Sequence, residues 1–349
     1  MHSPPPAPQP SSPTASQSLA NTPAGTELTL EELLGTPGNS AKLPQPRRRV
    51  SFQSAGRSAE INRRPVLALV LFFLTCATTY LAGVSNWSQA MIGAYPSLWN
   101  MAVDPPRVKV GLEYMSAMMA ILLAHEMGHF LMTVRHQIMA TYPIFIPFPS
   151  LFTGTMGAVI SMDNSRANRK QLFDIGIAGP LAGLAVILPV LYYGITTAHV
   201  RNYLAVGNQG FAGHPWLYEL LVDWLRPEVL PHQELVPNPW LMAGWIGCLI
   251  TGLNMFPLSQ LDGGHVVYCL FGKFGNQIAR LTLIFCMAMI ILTNNYLWTV
   301  MILIVTAVLG VNHPPTTDDT VPLGWFRVVL GVLSLSIPIF CFIPRPFAI

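Results

Sequence analysis

The amino-acid sequence predicts an all-α polytopic membrane protein with six to seven transmembrane helices, a small membrane-embedded β-rich re-entrant element and a disordered N-terminal arm. Charged residues make up only 10% of the 349 positions, whereas the hydrophobic types A, V, I, L, M, F, W, Y and C make up 52%. Soluble globular chains carry about 25% charged residues. From residue 65 onward, apolar runs recur at roughly the 20-residue length that crosses a hydrocarbon core of about 30 Å.

The N-terminal arm, residues 1–64, differs in composition from the rest of the chain. It opens with PPPAPQPSSPTASQ and is rich in Pro, Ser, Thr, Ala and Gln. A segment without apolar periodicity cannot bury enough surface to offset the entropy that ordering costs. We therefore expect residues 1–64 to be a disordered cytoplasmic arm and residues 65–349 to form a membrane-embedded domain. A Ser-rich plastid transit peptide is the alternative interpretation of the arm.

The apolar runs after the arm predict the transmembrane helices. The expected spans lie near residues 65–84, 111–134, 174–197, 239–258, 277–293, 296–312 and 325–343. The fifth and sixth runs are short and are separated only by Asn294 and Asn295. These two runs could instead form a tight hairpin or a partly re-entrant element, which reduces the count from seven to six.

The distribution of Lys and Arg predicts a cytoplasmic N-terminus, because short cytoplasmic loops carry an excess of these residues. Basic residues precede the first span, follow the second, precede the third and follow the fourth: Arg47, Arg48, Arg49, Arg57, Arg63, Arg64, Arg135, Arg166, Arg169, Lys170, Lys273 and Arg280. The formal net charge of +3 is too small and too scattered to indicate nucleic acid binding. Five cysteines without CxxC spacing indicate neither a thiolate metal site nor a disulfide framework.

Residues 141–163, TYPIFIPFPSLFTGTMGAVISMD, predict the β-rich re-entrant element. The segment is apolar, yet it contains prolines and glycines that exclude one straight helix: Pro143, Pro147, Pro149, Gly154 and Gly157. Its β-branched and aromatic residues favour extended strands. Irregular backbone at membrane depth is tolerated where protein buries it or where a water-filled cavity adjoins it. We therefore expect these strands to lie beside a polar cavity.

The second span contains the sequence LLAHEMGHF, in which two histidines are four residues apart. On a helix His125 and His129 share one face, so both imidazoles can bind the same cation. Glu126 falls beside that cation, where its carboxylate can accept a proton from an attacking water molecule. Ionisable groups inside a spanning helix are costly and indicate function. The motif therefore predicts a Zn²⁺ site with Glu126 as the general base.

Catalytic zinc usually has three protein ligands, so an acidic residue elsewhere is expected to complete the site. The candidates near apolar runs are Glu113, Asp163, Asp174 and Asp262. Glu113 lies three turns before the histidines, and Asp163 and Asp174 flank a basic loop in which surface ion pairs explain them.

Asp262 differs from the other candidates because it follows the fourth span at the predicted depth of the histidines. Pro257 should end the helix, and Gly263 and Gly264 should let the backbone turn so that the carboxylate points inward. On its own the sequence LDG is typical of a helix-ending turn. Together with the two histidines we interpret Asp262 as the third metal ligand.

Other polar residues have less specific patterns. Asn254 lies two helical turns before Asp262 and is expected to bind substrate through its amide, although an interhelical hydrogen bond is the alternative role. His265 is expected near the metal as a non-ligand. Solvated side chains are expected for the histidines in loops: His136, His199, His214, His232 and His313. The sequence GIAGPLAGL, residues 176–184, has the small-residue spacing of a close helix–helix contact.

The sequence resembles the site-2 protease family of intramembrane zinc metalloproteases. The likeness rests on three segments in order: His125-Glu-Met-Gly-His129, Asn168-Arg-Lys-Gln-Leu-Phe-Asp-Ile-Gly-Ile-Ala-Gly-Pro180, and Asn254-Met-Phe-Pro257 with Leu261-Asp-Gly263. It extends more loosely over residues 65–315, with a catalytic core at about 111–270. The sequences PSLFTGTMGAVI and His313-Pro-Pro are similar to the branch with bacterial members and related plastid proteins.

This resemblance implies a zinc site within the lipid bilayer near its cytoplasmic side and cleavage of single-span membrane protein substrates within or beside their transmembrane segments. It also implies that a substrate strand pairs with the β element of residues 141–163, in the course of regulated intramembrane proteolysis. A bacterial plasma membrane is the favoured location, with an organellar membrane as the alternative. Many relatives carry a PDZ domain or a cystathionine-β-synthase-type module, and from the lengths of the loops and of the C-terminal segment we expect neither in residues 1–349.

Three other functions remain open on the sequence. A membrane zinc protease of another class, such as one that acts on prenylated peptides, would be expected to use a Glu or His as its third ligand. A metal or proton transporter would need no Glu between its histidines, and the segments show no inverted repeat. A non-cleaving binder of transmembrane helices would need neither the complete ligand set nor Glu126.

Overall fold

The computed structural model describes residues 64–88, 92, 97–162, 166–202, 213–293 and 296–343. All of these residues belong to the unit Ala59–Ile349. The predicted disordered arm lies outside the described residues except for its last residue, and so do Asn294 and Asn295 between the fifth and sixth predicted spans. The described chain is mostly helical.

The chain order alternates long helices with short strands and short helices. The helices are α1 (Pro65–Val84), α2 (Leu98–Met101), α3 (Pro105–Arg135), α4 (Arg169–Thr197), α5 (Trp216–Leu225), α6 (Pro239–Asn254), α7 (Asp262–Phe271), α8 (Lys273–Thr293), α9 (Leu297–Leu309), α10 (Trp325–Ser334) and α11 (Ile337–Cys341). The strands are β1 (Ile144–Pro147), β2 (Thr155–Val159), β3 (Val200–Asn202) and β4 (Gln233–Leu235).

Four of the described helices are long and apolar enough to cross a membrane: Pro65–Val84, Pro105–Arg135, Arg169–Thr197 and Lys273–Leu292. They match the first, second, third and fifth predicted spans. The fourth predicted span corresponds to α6, which has only 16 residues. The sixth corresponds to α9 with 13 residues, and the seventh is divided between α10 and α11.

Local sequence signals set where several helices begin. Proline occupies the first turn of α1, α3 and α6, where its missing N–H has no intrahelical partner to lose. Asn168 caps α4 in a reciprocal arrangement, because its side chain accepts from the Gln171 N–H while the Gln171 side chain accepts from the Asn168 N–H. Asn238 caps α6 by accepting from the Leu241 N–H at 2.8 Å.

The segment predicted to be β-rich forms an antiparallel hairpin of β1 and β2. Ile144 pairs with Val159, and the register shifts between Phe145 and Pro147. The loop between the strands is fixed to α1 by the Thr78 hydroxyl, which donates to the Gly154 carbonyl at 2.6 Å. The prediction of strands rather than a helix is confirmed for this segment.

A set of hydrogen bonds joins α4, α7 and the segment between α9 and α10. The Arg169 guanidinium donates to the carbonyls of Cys269 and Leu270, which would otherwise be unpaired at the end of α7. The Thr317 N–H donates to the Ala167 carbonyl at 3.0 Å, and the Arg169 N–H donates to the Asp318 carbonyl at 3.2 Å. The segment of residues 311–324, which we call the strap, thus holds the start of α4 against the end of α7.

Candidate metal centre

Three side chains that are distant in sequence converge between α3 and α7. His125 Nε2 lies 3.2 Å from His129 Nε2 and 3.2 Å from Asp262 Oδ2. His129 Nε2 lies 3.3 Å from Asp262 Oδ1. Both histidines are buried, and the Asp262 side chain is 15% exposed. The structure therefore brings together the three residues that the sequence proposed as ligands.

The spacing of the three side chains is compatible with a shared zinc ion. With Zn–N bonds of about 2.0–2.1 Å, two ligand atoms of a tetrahedral site are about 3.3 Å apart, and the two Nε2 atoms are 3.2 Å apart. The Asp262 carboxylate faces both rings, with Oδ2 nearer to His125 and Oδ1 nearer to His129, and one ligand atom from each residue lies within 4.8 Å of the others. Two histidines and one carboxylate are also a donor set that zinc accepts in catalytic sites with a free fourth position.

The ring orientation of His129 is fixed by a backbone carbonyl of α4. His129 Nδ1 lies 2.8 Å from the Ile175 carbonyl oxygen, which can only accept a hydrogen bond. The Nδ1–H therefore donates to Ile175, and the lone pair of Nε2 is directed toward Asp262 and His125. This arrangement, with one ring nitrogen bonded to a carbonyl, is typical of metal-binding histidines.

Helix α4 approaches the histidines closely because glycines face them. A methyl group at Gly179 would lie 2.0 Å from His129 Nε2, and one at Gly183 would lie 3.1 Å from His125 Nδ1. A methyl group at Gly176 would lie 2.9 Å from the Cβ atom of His265. The small residues of GIAGPLAGL therefore have a more specific role than general helix packing, since they make room for the imidazoles.

Asp262 is positioned by a break between α6 and α7 rather than by glycine turns. Helix α6 ends at Asn254, and Asp262 is the first residue of α7. Gly263 and Gly264 are helical, and methyl groups there would lie 2.0 Å from the Met255 carbonyl and 2.2 Å from the Ser259 carbonyl.

The predicted reason for the two glycines was therefore wrong. The left-handed backbone conformation in this break is adopted by Ser259, with a φ angle of 49°. The Ser259 hydroxyl donates to the Leu309 carbonyl at 2.7 Å, which links the break to the end of α9. Gly263 and Gly264 instead let the first turn of α7 pack tightly against the break that precedes it.

Glu126 and Asn254 also lie at the site. Glu126 is buried, with 4% exposure, one residue from His125 on α3. Asn254 Nδ2 lies 3.4 Å from His125 Nε2, at the last residue of α6. A carboxylate and an amide donor are therefore both next to the three candidate ligands.

Two histidines outside the ligand set form a buried pair that the sequence did not predict. His265 Nδ1 lies 2.7 Å from His313 Nε2, and the His313 ring is stacked on Tyr268 at a centroid distance of 4.4 Å. His313 Nδ1 faces the Pro314 carbonyl, so the His313 ring donates there and accepts from the His265 N–H. Burial lowers the pKa of His313, which favours this neutral form.

The prediction that His313 is solvated was therefore wrong. His313 is 6% exposed, although it belongs to the strap rather than to a helix. Its neighbour Asp319 accepts from the Tyr268 hydroxyl at 2.8 Å and from the Thr316 hydroxyl. These hydrogen bonds outweigh partial burial and lower the pKa of Asp319. The one feature of the sequence that drew attention to His313 was the His313-Pro-Pro motif, which does not indicate whether the side chain is buried.

The other acidic candidates are placed away from the three ligands. Asp174 accepts two hydrogen bonds from Arg327 and lies 3.1 Å from His136 Nε2, so it is ion-paired as expected, although its partner belongs to α10 and not to the basic loop that it flanks. Glu113 lies 3.9 Å from Lys109 on the first part of α3. Asp163 lies outside the described residues.

Comparison with known proteins identifies the family. The sequence profile described as peptidase family M50 matches residues 113–293, which is more than half of the chain. The chain belongs to peptidase family M50. This is the site-2 protease family, so the resemblance noted in the three sequence segments is confirmed. All five candidate site residues lie within the part that matches the M50 profile.

Relatives of the M50 chain among curated proteins are plastid enzymes by name. The probable zinc metalloprotease EGY1, chloroplastic, is 29% identical over 222 residues in Oryza sativa subsp. japonica and 30% identical over 221 residues in Arabidopsis thaliana. These matches cover 60% of this chain and 38% and 40% of the relatives. The probable zinc metalloprotease EGY2, chloroplastic, of Arabidopsis thaliana is 27% identical over 278 residues, which covers 78% of this chain and 47% of that protein.

The M50 chain thus spans less than half the length of these relatives. The expected likeness to plastid proteins is confirmed by their names. The names do not support the preference for a bacterial membrane over an organellar one.

Proposed function

We propose that the chain is an intramembrane zinc metalloprotease that hydrolyses peptide bonds within or next to the transmembrane segments of single-span membrane proteins. The observation that carries this proposal is the convergence of His125, His129 and Asp262 within metal-binding distance of one another, with the buried Glu126 beside them. The names of the EGY relatives support it. We further propose that its biological use is regulated intramembrane proteolysis.

The residues have separate roles in this mechanism. His125, His129 and Asp262 would hold the zinc ion through Nε2, Nε2 and the carboxylate. When bound, zinc acts as a Lewis acid toward a peptide carbonyl and a water molecule. Glu126 takes the proton of the attacking water and passes it to the leaving amine, as a positioned carboxylate does in general acid–base catalysis.

Asn254 is proposed to bind the substrate beside the metal site. Its Nδ2 lies next to His125, so an N–H of the amide can reach the carbonyl oxygen of a peptide held there. Such a donor stabilises the negative charge that develops on this oxygen. The alternative role, a hydrogen bond between α6 and α3, is supported by the same distance of 3.4 Å.

The β1–β2 hairpin is proposed as the membrane-embedded re-entrant element that pairs with the substrate. Within the described residues the hairpin is a two-stranded sheet, so one edge of each strand has no strand partner. Strand β2 lies on the side of α6, where a methyl group at Gly157 would lie 3.9 Å from the Ile250 side chain. Ile250 precedes Asn254 by about one helical turn. An extended substrate added to β2 would therefore run toward the metal site.

A substrate helix must unwind before it can add to a strand edge. A helical peptide bond is enclosed by its own turn, and helix-breaking residues lower the cost of opening it. We expect good substrates to contain Gly, Pro or Asn close to the cleaved bond.

The membrane arrangement is likewise a proposal. We propose an integral multi-pass protein with six to seven spans and a cytoplasmic N-terminus, in which α6 and one or two of the later helical segments cross the membrane in addition to the four long helices. The basic residues before α1 and α4 support this orientation. A bacterial plasma membrane and a plastid membrane are the two locations to distinguish.

Metal content and cleavage measured together test the proposal. Purified wild type, Glu126→Gln and Asp262→Ala would be compared for bound zinc and for hydrolysis of a single-span substrate. We expect one zinc in wild type, zinc without cleavage in Glu126→Gln, and weakened zinc binding in Asp262→Ala. Cleavage that survives Glu126→Gln would contradict the role of this residue.

The same experiment separates the other functions. Absence of stoichiometric zinc from wild type would favour a transporter of metal or protons. Stoichiometric zinc and tight binding of a transmembrane helix without any hydrolysis would favour a non-cleaving binder.

A further inference from the structure

A cavity of about 490 Å³ lies at the end of the helix bundle where α1 ends and where α3 and α6 begin. Cavities that bind ligands range from about 300 to 1,000 Å³. Val110 lines the cavity, and roughly 22 Å of α3 separates it from His125 at 1.5 Å per residue. The cavity and the metal centre therefore lie at opposite ends of the same helices. We call it the far cavity.

The wall of the far cavity combines apolar surface with two buried nitrogen atoms. Phe152, Leu241 and Trp245 supply much of the apolar part. Trp87 Nε1 and His214 Nδ1 are buried, and neither has a hydrogen-bond partner within the residues that the structure describes. Buried polar atoms are nearly always hydrogen-bonded in proteins, so two such atoms in one wall indicate a site for a polar ligand group.

Both nitrogen atoms are held in place by their surroundings. Asn86 and Trp87 have φ angles of 53° and 56°, a strained conformation for residues other than glycine. The backbone N–H of Trp87 donates to the Ala82 carbonyl at 2.9 Å, and the Trp87 ring meets Tyr114 at a centroid distance of 5.7 Å. The His214 ring is stacked on Tyr218 at 4.5 Å. The donor of Trp87 is thus fixed before any ligand binds.

The charge of the cavity wall argues against an anionic ligand such as a lipid phosphate. Arg201 is the one Lys or Arg among the described residues that line the cavity, and its Nε donates to Glu234 at 2.6 Å. This ion pair joins β3 to β4 and leaves the wall close to neutral. A ligand with an apolar side chain and uncharged backbone groups matches the wall better.

We propose that the far cavity binds the residues that flank the transmembrane segment of a substrate on the membrane face opposite the metal centre. A flanking carbonyl would accept from Trp87 Nε1, a second polar group would pair with His214 Nδ1, and an apolar side chain would contact Phe152 and Trp245. This inference rests on the proposed protease function.

The position of the far cavity suits such a peptide. A transmembrane segment crosses about 30 Å of hydrocarbon, so a substrate whose middle part lies near the metal centre, roughly 22 Å away along α3, can place its flank in the far cavity. Phe152 belongs to the loop between β1 and β2, and its ring meets Trp245 of α6 at 6.2 Å. A peptide in the far cavity would therefore contact the loop of the hairpin that we propose pairs with the substrate.

The test uses two single-span substrates with the same transmembrane segment. One carries aromatic and apolar residues in the flank that would meet the far cavity, and the other carries a Gly/Ser flank of equal length. We expect the wild type to cleave the first with about tenfold higher kcat/KM, mainly through KM. Trp87→Phe and His214→Phe should each raise KM by about five- to tenfold for both substrates, which corresponds to one hydrogen bond, because both flanks carry backbone polar groups.

Matched variants control for the substitutions themselves. Trp99 is 70% exposed on α2 and does not line the far cavity, so Trp99→Phe should keep the wild-type preference. His232→Phe is the corresponding control for His214 because His232 is also exposed. Both control variants should keep the wild-type KM for both substrates.

Equal kcat/KM for both substrates in wild type, or a wild-type KM in both Trp87→Phe and His214→Phe, would overturn the inference. Failure of the protease function has a different result, namely no cleavage of either substrate by wild type. A photo-crosslinking residue at Val236, in the cavity wall, gives an independent readout in the Glu126→Gln protein. Crosslinks to the substrate flank would support the inference, and crosslinks only to lipid or to this chain would contradict it.

Discussion

Replacement of Gly179 by alanine is expected to displace the candidate ligand His129, although Gly179 is not itself a ligand. The added methyl group would lie 2.0 Å from His129 Nε2, 2.4 Å from Cδ2 and 2.5 Å from Cε1. Nonbonded heavy atoms approach without steric repulsion to about 3.5 Å. The imidazole must therefore move by about 1.5 Å, because Gly179 lies on a packed helix that cannot easily retreat.

The size of this movement determines the effect on zinc. Zinc sites tolerate deviations of about 0.2 Å in their bond lengths. A displacement of about 1.5 Å exceeds that tolerance, so His129 should no longer bind. Loss of an outer hydrogen-bond partner alone lowers metal affinity by about 10–100-fold. We therefore expect Gly179→Ala to lower zinc affinity by at least about 100-fold and to abolish cleavage.

The effect on folding should be much smaller. Alanine is better than glycine in a helix by about 1 kcal/mol, while overpacking costs about 1–3 kcal/mol. The unfolding free energy should therefore fall by no more than about 2 kcal/mol. Gly183→Ala is the matched control, because its methyl group would lie 3.1 Å from His125 Nδ1 and needs a shift of only about 0.4 Å.

The assay combines zinc titration in chelator-buffered solutions with thermal unfolding in detergent. Zinc affinity should be highest in wild type, lower in Gly183→Ala and lowest in Gly179→Ala. The melting temperatures of the three proteins should differ little. Wild-type affinity in Gly179→Ala would refute the reasoning, since His129 could not then be a ligand in the observed geometry. A large loss of stability in both variants would show that α4 packing, rather than the metal site, responds to the methyl group.

Three further predictions concern residues outside the ligand set. His313→Ala leaves the buried His265 N–H without its acceptor, so the unfolding free energy should fall by about 1–3 kcal/mol in denaturation experiments, with partial recovery in His313→Asn. Burial lowers the pKa of His214 below its usual value near 6.5. The unfolded chain then binds the proton more readily, so this contribution to stability is fully present above about pH 6.5 and is lost as the pH falls toward the folded-state pKa; the melting temperature of His214→Phe should decline less than that of wild type between pH 7.5 and pH 5.5. Arg327→Leu removes both hydrogen bonds to Asp174, and because the pair is partly exposed we expect a loss of only about 1 kcal/mol, detectable as a lower melting temperature that salt affects less than in wild type.

Much of the metal centre could be predicted because the relative positions of two of its residues depend only on helix geometry. The spacing of His125 and His129 places both rings on one helical face in any α-helix. The choice of Asp262 needed a further step, since it required the inferred topology to place two distant segments at one depth. The long apolar runs likewise predicted six to seven spans, and four of the described helices are long and apolar enough to cross a membrane.

The parts that could not be predicted depend on three-dimensional packing. The burial of His313 follows from the strap, whose hydrogen bonds to Ala167 and Arg169 have no signal in the sequence. The reason for Gly263 and Gly264 was misjudged because a glycine is needed both for unusual φ angles and for close contact. The sequence alone cannot tell these two uses apart.

Helix α6 also bears on the lipid around the protein. Its 16 residues rise only about 24 Å, which is about 6 Å less than the hydrocarbon core. Eleven of these residues are buried and the other five are partly buried, so neighbouring helices rather than lipid surround most of α6. The protein itself therefore accommodates the short helix, and the bilayer need not become thinner beside it. The end of α6 that carries Asn254 can then lie below the membrane surface in thin and thick bilayers alike, so turnover is expected to depend little on lipid chain length.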